Sequence, residues 1–213
     1  KSRNAFAEDI TRSFDNGKRF DIVILKISNL YSFGEFLSYD ERTGLLKETR
    51  NRADRLNARL DFFSEMYYLR SGVFAFTIDE RQSSRTEEFA RAVFEESGRP
   101  IAVNNMQINL ITSVCIVKCP DDIDDENSLS EFISKAVPNE TGVTYAKDIL
   151  QSGKYDMIID MESIISRALS ENRLEVYYQP IYSINEKRFC SAEALIRLKD
   201  EKYGFVPPDL FIP

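Results

Sequence analysis

The segment SAEALIRL, residues 191–198, places a glutamate inside an otherwise mostly apolar run. Helix propensity favours a helix here, in which Glu193 and Arg197 form an i,i+4 surface pair. A strand is the alternative, because alternation then puts Glu193, Leu195 and Arg197 on one face with the two charges about 13 Å apart. Each charge would then need an outside partner, and a metal ion for the carboxylate and a phosphate for the guanidinium would satisfy both.

The composition limits the chemistry and the partners of the chain. Its 28 basic and 35 acidic residues give a formal net charge of -7, which argues against a dominant nucleic-acid-binding surface. The absence of histidine excludes Ser-His-Asp and Cys-His catalysis and zinc sites built on histidine. No apolar run reaches the length of a membrane span. The three cysteines, Cys115, Cys119 and Cys190, favour reduced thiols in a cytoplasmic domain.

Hydrophobic periodicity predicts the elements that must position these residues. Helices are expected over residues 2–16, 41–59, 85–97, 126–137 and 161–173, and strands over residues 20–30, 66–70, 73–78, 100–105, 107–119, 174–180 and 189–198. The runs 66–70 and 73–78 are joined only by Ser71 and Gly72, which is a strong hairpin signal. A central hairpin with few βα repeats predicts an α+β fold with helices packed on a sheet.

The first part of the chain resembles a GGDEF domain, the module that in active members condenses two GTP molecules into cyclic di-GMP. SRNAF resembles the end of the family's opening segment, DIVILKISNLYSFGEF its first strand and turn, and YYLRSGVFAF its signature region. The resemblance covers residues 1 to about 155, with the family's N-terminal segment missing. It implies a nucleotide-cyclase-like central antiparallel sheet flanked by helices, and we assign residues 1–157 to this domain.

The family's signature is degenerate in this chain. Its five positions hold Arg70, Ser71, Gly72, Val73 and Phe74, of which only the phenylalanine remains. A diguanylate cyclase needs carboxylates to hold Mg²⁺ against triphosphate oxygens, and the acidic signature positions have none here. The resemblance therefore implies a domain that makes no cyclic di-GMP.

Further family positions are also replaced. Lys26 and Ser28 match the two strand aspartates, and Gly34 and Thr43 match the guanine-contacting residues. The product-inhibition motif RxxD would fall at residues 61–64, which read DFFS. Two interpretations of Lys26 and Arg70 remain open. Such cations could replace the charge of Mg²⁺ near a phosphate, or they could be strand-end residues that reach solvent.

Residues 158–213 resemble a linker helix and the truncated start of an EAL domain, the phosphodiesterase that linearises cyclic di-GMP. RALSENRLEVYYQPIYS, SAEALIRL and YGFVPPDLFIP follow one another at family-like spacing. The resemblance implies the first strands of an incomplete TIM-like barrel. Glu193 would be a catalytic ligand of Mg²⁺ or Mn²⁺, Arg197 would contact a phosphate, and Leu195 would pack on the ligand. Gln179, expected at the carboxyl end of its strand, would contact the substrate or be only an exposed polar residue.

These resemblances predict a fragment of a bacterial cyclic di-GMP signalling protein. The catalytically dead GGDEF domain would act as a regulatory or dimerisation module for an EAL phosphodiesterase. A complete barrel needs about 250 residues, so this fragment is expected to be inactive and to hold no cofactor by itself. The expected partners are cyclic di-GMP and a second copy of the chain. The alternatives are a non-catalytic receptor or scaffold, and an EAL-like tail that is only a structural extension.

Overall fold

The computed structural model describes residues 1–30, 37–103 and 106–212. The chain divides into two compact units, Lys1–Ser152 and Gly153–Pro213. The boundary expected between residues 157 and 158 falls inside a helix that runs from Lys154 to Ser170. The assignment of residues 1–157 to one domain stays a prediction.

The first unit contains five α-helices and seven strands within the described residues. The helices are α1 (Arg3–Asp15), α2 (Tyr39–Leu60), α3 (Thr86–Ser97), α4 (Glu126–Lys135) and α5 (Ala146–Gln151). The strands are β1 (Phe20–Ile27), β2 (Ser64–Arg70), β3 (Val73–Asp79), β4 (Ile101–Val103), β5 (Met106–Ile108), β6 (Thr112–Cys119) and β7 (Gly142–Tyr145). The second unit contains α6 (Lys154–Ser170), β8 (Leu174–Ser183), β9 (Arg188–Asp200) and β10 (Gly204–Val206).

Five strands of the first unit form one sheet in the order β2-β3-β1-β6-β7. The first four strands are antiparallel to their neighbours, whereas β7 pairs in parallel with β6. The α+β fold class is thereby confirmed, and the sheet gains a parallel edge strand that the sequence did not predict. Strand β7 has only four residues, all of them half-buried, so it carries no alternation that could reveal it.

Strand β1 lies at the centre of this sheet and is covered on both faces. Every residue of β1 except Lys26 is buried, which explains its nearly continuous apolar sequence. On one face Asp21 accepts a hydrogen bond from Thr86 at the start of α3. On the opposite face Lys26 reaches Val137, just beyond the end of α4. The side chains of β1 therefore connect the helices of both layers.

The hairpin predicted from Ser71 and Gly72 is confirmed as β2 and β3. Gly72 has φ +74°, and a Cβ there would lie 2.8 Å from the Ile27 carbonyl oxygen. Two features therefore disfavour any side chain at position 72: the left-handed backbone conformation and the close approach of β1. The turn packs against β1 through a hydrogen bond from the Ile27 N–H to the Gly72 carbonyl, at 2.7 Å.

A β-bulge near the end of β2 changes the face on which Arg70 lies. Tyr68 pairs with Phe74, but Arg70 pairs with Val73, so β2 advances two residues while β3 advances one. Val73 in turn lies opposite Lys26 on β1. The bulge therefore moves Arg70 from the face that carries Tyr68 to the face that carries Lys26.

In the second unit, α6 packs on a three-stranded sheet of order β10-β9-β8. Met161, Ile164 and Ala168 of α6 form a small core with Leu198 and Val206 of the sheet. SAEALIRL lies within β9, so the strand interpretation is confirmed and the helix interpretation is wrong. Within the described residues these strands form an open sheet, as expected for the first strands of an incomplete barrel.

The expected position of Gln179 in its strand needs correction. Gln179 was expected at the carboxyl end of its strand, but β8 continues through Pro180 to Ser183 and pairs with β9 over that length. Gln179 is therefore a mid-strand residue. The physical reason is that β8 is the edge strand of this sheet, and an edge strand accommodates a proline that an interior strand would exclude.

The three cysteines are free thiols, as the sequence predicts. Cys115 and Cys119 are buried in β6, and Cys190 is exposed at the start of β9. Burial raises the pKa of the Cys115 thiol to about 12 and also raises the pKa of Cys119. Both buried thiols therefore stay protonated and unreactive at neutral pH. Across the described parts of the chain, none of the helices has the length and apolar character that crossing a bilayer requires.

Candidate functional site

The residues that the sequence singled out in the second unit lie together on one face of the β8–β9 hairpin. Gln179 pairs directly with Glu193 across the two strands. We call each cross-strand pair on this face a level. Leu195 lies on the level next to that of Gln179 and Glu193, and Arg197 lies on the level after it. Directly opposed Cβ atoms on such a face lie about 5 Å apart, so the amide and the carboxylate can share one ligand.

The two polar groups at the first level are available to a ligand. Glu193 and Gln179 are exposed, and neither side chain makes a hydrogen bond or ion pair with any residue in the described ranges. The glutamate in the apolar run is therefore not a buried charge. Its apolar neighbours Ala192 and Ala194 lie on the other face of the strand. This alternation explains how a charged residue can stand in a mostly apolar run.

Arg197 is restrained by contacts within the hairpin. One guanidinium N–H donates to the Ile196 carbonyl oxygen at 2.8 Å. The guanidinium carbon lies 5.9 Å from the centre of the Tyr177 ring, which pairs with Leu195 on the neighbouring strand. Tyr177 is not among the residues predicted from the sequence, although its position two residues before Gln179 places both side chains on one face.

A divalent metal at the Glu193 end of this face would find one protein carboxylate, because Glu175, the other acidic residue of the face, lies two cross-strand pairs away, opposite Arg197. The described residues contain no group of three or more acidic, cysteine or histidine side chains close enough to hold an ion. Glu193 fits a metal-ligand role because its carboxylate is free and exposed. Mg²⁺ takes six oxygen ligands, so the other protein ligands would have to come from outside these residues.

An ion pair between a buried carboxylate and a partly exposed arginine fixes the end of β9 near Arg197. The Asp200 side chain is only 2% exposed and bonds to Arg167 of α6. It also accepts hydrogen bonds from the backbone N–H groups of Lys202 (2.9 Å) and Tyr203 (3.2 Å). Burial by itself would raise the pKa of Asp200, but these three donors hold it below its ordinary value. The contact ties the strand that carries Glu193 to α6.

In the first unit, Lys26 and Arg70 both bind the end of α4. The Lys26 Nζ donates to the Val137 carbonyl oxygen at 2.7 Å. Arg70 donates to the carbonyl oxygens of Ser134 (2.9 Å) and Ile133 (3.3 Å). Helix-terminal carbonyls lack intrahelical partners and carry the negative end of the helix dipole, so cations stabilise them. We call this pair of side chains and the helix end the α4 clamp.

The α4 clamp differs from both sequence interpretations of its cations. Lys26 is half-buried and bonded to the chain itself, not directed simply to solvent. Burial, and secondarily the nearby Arg70 charge, lower the pKa of Lys26. The clamp thus places one cation, Lys26, where the GGDEF resemblance expects a metal-binding aspartate, with the Arg70 charge nearby. Carbonyl oxygens of this chain occupy part of the hydrogen-bonding capacity of both side chains.

The other positions matched to GGDEF functional residues carry structural contacts. Val73 and Phe74 are buried in the core, and Ser71 with Gly72 forms the hairpin turn. The Thr43 hydroxyl donates to the Tyr39 carbonyl oxygen within α2, at 2.9 Å. Gly34 lies outside the described residues.

The segment that replaces RxxD is likewise structural. Asp61 caps the carboxyl end of α2 in a left-handed conformation, with φ 47°. Ser64 donates to the Asn57 side chain at 2.9 Å. Short polar residues tolerate these positions well, so the segment needs no ligand to explain its composition.

Comparison with known proteins supports both resemblances. Residues 162–213 match the EAL domain family. The chain is 22% identical over its whole length to the cyclic di-GMP phosphodiesterase NbdA of Pseudomonas aeruginosa, covering 28% of that protein. It spans less than a third of the length of the curated relatives it matches.

Solved structures identify the fold. The GGDEF domain of PA2567 from Pseudomonas aeruginosa superposes with a TM-score of 0.55 at 16% identity, covering 64% of this chain and 86% of that domain. The S helix-GGDEF-EAL region of Vibrio cholerae LapD, solved bound to c-di-GMP, gives a TM-score of 0.60 at 11% identity. That match covers 99% of this chain and 50% of the LapD chain. The chain therefore combines a unit of the GGDEF fold with a segment, residues 162–213, that matches the EAL domain family.

Proposed function

We propose that this chain is part of a bacterial cyclic di-GMP signalling protein whose EAL domain hydrolyses cyclic di-GMP. The observation that carries the proposal is the common face of β8 and β9. It presents a free carboxylate, a free amide and a restrained guanidinium, from Glu193, Gln179 and Arg197, within the segment that matches the EAL family. The curated relatives include proteins named as cyclic di-GMP phosphodiesterases.

Four residues on this face have roles in the proposed reaction. The Glu193 carboxylate would bind a divalent metal, Mg²⁺ or Mn²⁺. A metal bound there would supply Lewis-acid polarisation of the phosphodiester and a more acidic water. Arg197 would hold a phosphate oxygen through its remaining N–H donors. Gln179 would orient the ligand by hydrogen bonds, and Leu195 would provide apolar contact beside it.

The GGDEF-fold unit is proposed to be regulatory and not a diguanylate cyclase. Its former acidic positions offer no carboxylate to Mg²⁺, because they hold Lys26, Ser28, Gly72 and Val73. The α4 clamp adds two cations that would repel a metal ion. We propose that this unit serves regulation or homodimerisation in the cytoplasm.

A non-catalytic receptor is the second candidate function. It is favoured by the similarity in fold to the LapD region solved bound to c-di-GMP. In that case the same face would bind the cyclic dinucleotide without cleaving it.

Hydrolysis by the full-length protein that contains this chain tests the proposal. With Mg²⁺ or Mn²⁺ we expect conversion of cyclic di-GMP to the linear dinucleotide, and Glu193→Ala should abolish it. Glu186→Ala is the matched control, because Glu186 is exposed in the β8–β9 turn and pairs with Arg188 away from the site. Binding without any linear product would favour the receptor.

A further inference from the structure

We propose that Tyr177 is a positioning residue that holds the Arg197 guanidinium in place for a phosphate and forms part of the ligand-binding surface. This inference rests on the proposed function of the β8–β9 face, because it assumes that a cyclic dinucleotide binds there. The structural starting point is the central level of that face, where Tyr177 pairs with Leu195. The cross-strand pair on one side of it is Gln179 with Glu193, and the pair on the other side is Glu175 with Arg197.

The ring of Tyr177 restricts the guanidinium without consuming its donors. The guanidinium carbon lies 5.9 Å from the ring centre, within the range of cation–π attraction. The only side-chain hydrogen bond of Arg197 in the described ranges goes to the Ile196 carbonyl oxygen, at 2.8 Å. A guanidinium has five N–H donors, so those left over can receive a phosphate in a bidentate manner.

The cross-strand neighbour of Arg197 does not compete for the guanidinium. Glu175 lies opposite Arg197 in the register, but the two side chains form no ion pair within the described residues. An arginine held by an aromatic face, and not by a carboxylate, keeps its remaining N–H donors available for an incoming anion. Fixing a flexible side chain before binding also reduces the entropy lost when the ligand binds.

The same ring offers a surface for the ligand itself. Tyr177 is 52% exposed, so about half of its area is free while the rest contacts the hairpin. With Leu195 it forms an apolar platform between the free carboxylate and the guanidinium. A planar base next to a phosphodiester matches this sequence of apolar and cationic groups. The chemical class expected is therefore a nucleotide phosphodiester.

Steady-state kinetics and calorimetric binding of cyclic di-GMP to the full-length protein test this role. We expect Tyr177→Leu to raise KM and the dissociation constant about tenfold with kcat changed less than about twofold. Tyr177→Phe keeps the ring and should stay within about twofold of wild type. Tyr178→Leu is the matched control, because Tyr178 is the adjacent tyrosine on the opposite face and should leave KM unchanged.

A double-mutant cycle separates positioning from a general effect on folding. If Tyr177 positions Arg197, then Tyr177→Leu should reduce affinity clearly less in an Arg197→Ala background than in the wild type, and the loss that remains is the ring's own contact with the ligand. The same tenfold loss in both backgrounds would overturn the positioning role. The arginine Nε–H resonance of Arg197 gives a second readout, because removing the ring should shift it while Tyr178→Leu should not.

The outcomes distinguish this inference from the proposed function. Wild-type binding without hydrolysis, weakened by Tyr177→Leu, would contradict the phosphodiesterase and support the role of Tyr177. Hydrolysis with unchanged KM and affinity in Tyr177→Leu would overturn the inference and leave the phosphodiesterase standing. Absence of both binding and hydrolysis in the wild type would overturn both.

Discussion

At the scale of single residues, positions that depart from the GGDEF pattern make contacts within the chain. Lys26 and Arg70 donate hydrogen bonds to carbonyl oxygens at the end of α4. On the EAL side the opposite holds, because Glu193 and Gln179 keep their polar groups free. A side chain bonded to its own backbone supports the fold, whereas an unbonded, exposed one is available to a ligand.

Removing one cation of the α4 clamp should lower stability. We expect Arg70→Met to cost about 0.5–1.5 kcal/mol of unfolding free energy, because two helix-end carbonyls lose their donor. Arg70→Lys should recover part of this, since it keeps the charge. Arg81→Met serves as the control, because the Arg81 side chain is 89% exposed and should change stability by less than about 0.5 kcal/mol. Urea denaturation measures all three, and equal stability of Arg70→Met and wild type would argue against the clamp.

At the scale of elements, local patterns predict the hairpin but not its internal geometry. Two β-rich runs around Ser71 and Gly72 suffice to predict β2 and β3. The bulge that turns Arg70 toward Lys26 leaves no mark in the spacing, because it depends on how β3 pairs with both neighbours. The proline in β8 led to a predicted strand end that is wrong for the same reason, because only the sheet order shows that β8 is an edge strand.

The hairpin turn gives a sharp test of the contact with β1. Gly72→Ala should destabilise the first unit by about 1–3 kcal/mol, because an added Cβ meets the Ile27 carbonyl oxygen and φ is positive. Gly44→Ala is the matched control: this glycine lies in α2 with open space around it, so alanine should stabilise by up to about 1 kcal/mol. If thermal denaturation shows that Gly72→Ala is as stable as wild type, the predicted clash is disproved.

The Asp200 pair predicts acid sensitivity in the second unit. The folded pKa of Asp200 lies below its unfolded value, so its contribution is complete above about pH 4 and is lost as pH falls through the folded pKa. Asp200→Asn should cost about 1–3 kcal/mol at pH 7 and flatten the acid dependence. Glu201→Gln, at a side chain 80% exposed, is the control. Hydrogen exchange of β9 and β10 amides between pH 3 and 7 reports the effect, and parallel curves for Asp200→Asn and wild type would refute it.

At the scale of the whole molecule, the sequence predicts which segments pack but not which distant segments meet. Strand β1 and the amphipathic helices follow from strong local patterns, and the Glu193 face follows once β9 is known to be a strand. Lys26 and Val137 are separated by 111 residues, so their contact depends on the complete sheet and helix arrangement. The partners of Lys26 and Arg70 could therefore not be found from sequence spacing alone. The contact of Tyr177 with Arg197 likewise follows only from the β8–β9 register.

The central claim is that this chain belongs to a protein that degrades cyclic di-GMP and does not make it. The most direct test supplies the full-length protein with cyclic di-GMP or with GTP, in Mg²⁺ or Mn²⁺, and identifies the products by chromatography and mass spectrometry. We expect linear dinucleotide from cyclic di-GMP, dependent on Glu193, and no cyclic di-GMP from GTP. Cyclic di-GMP formed from GTP, or no linear product in the wild type, would contradict it.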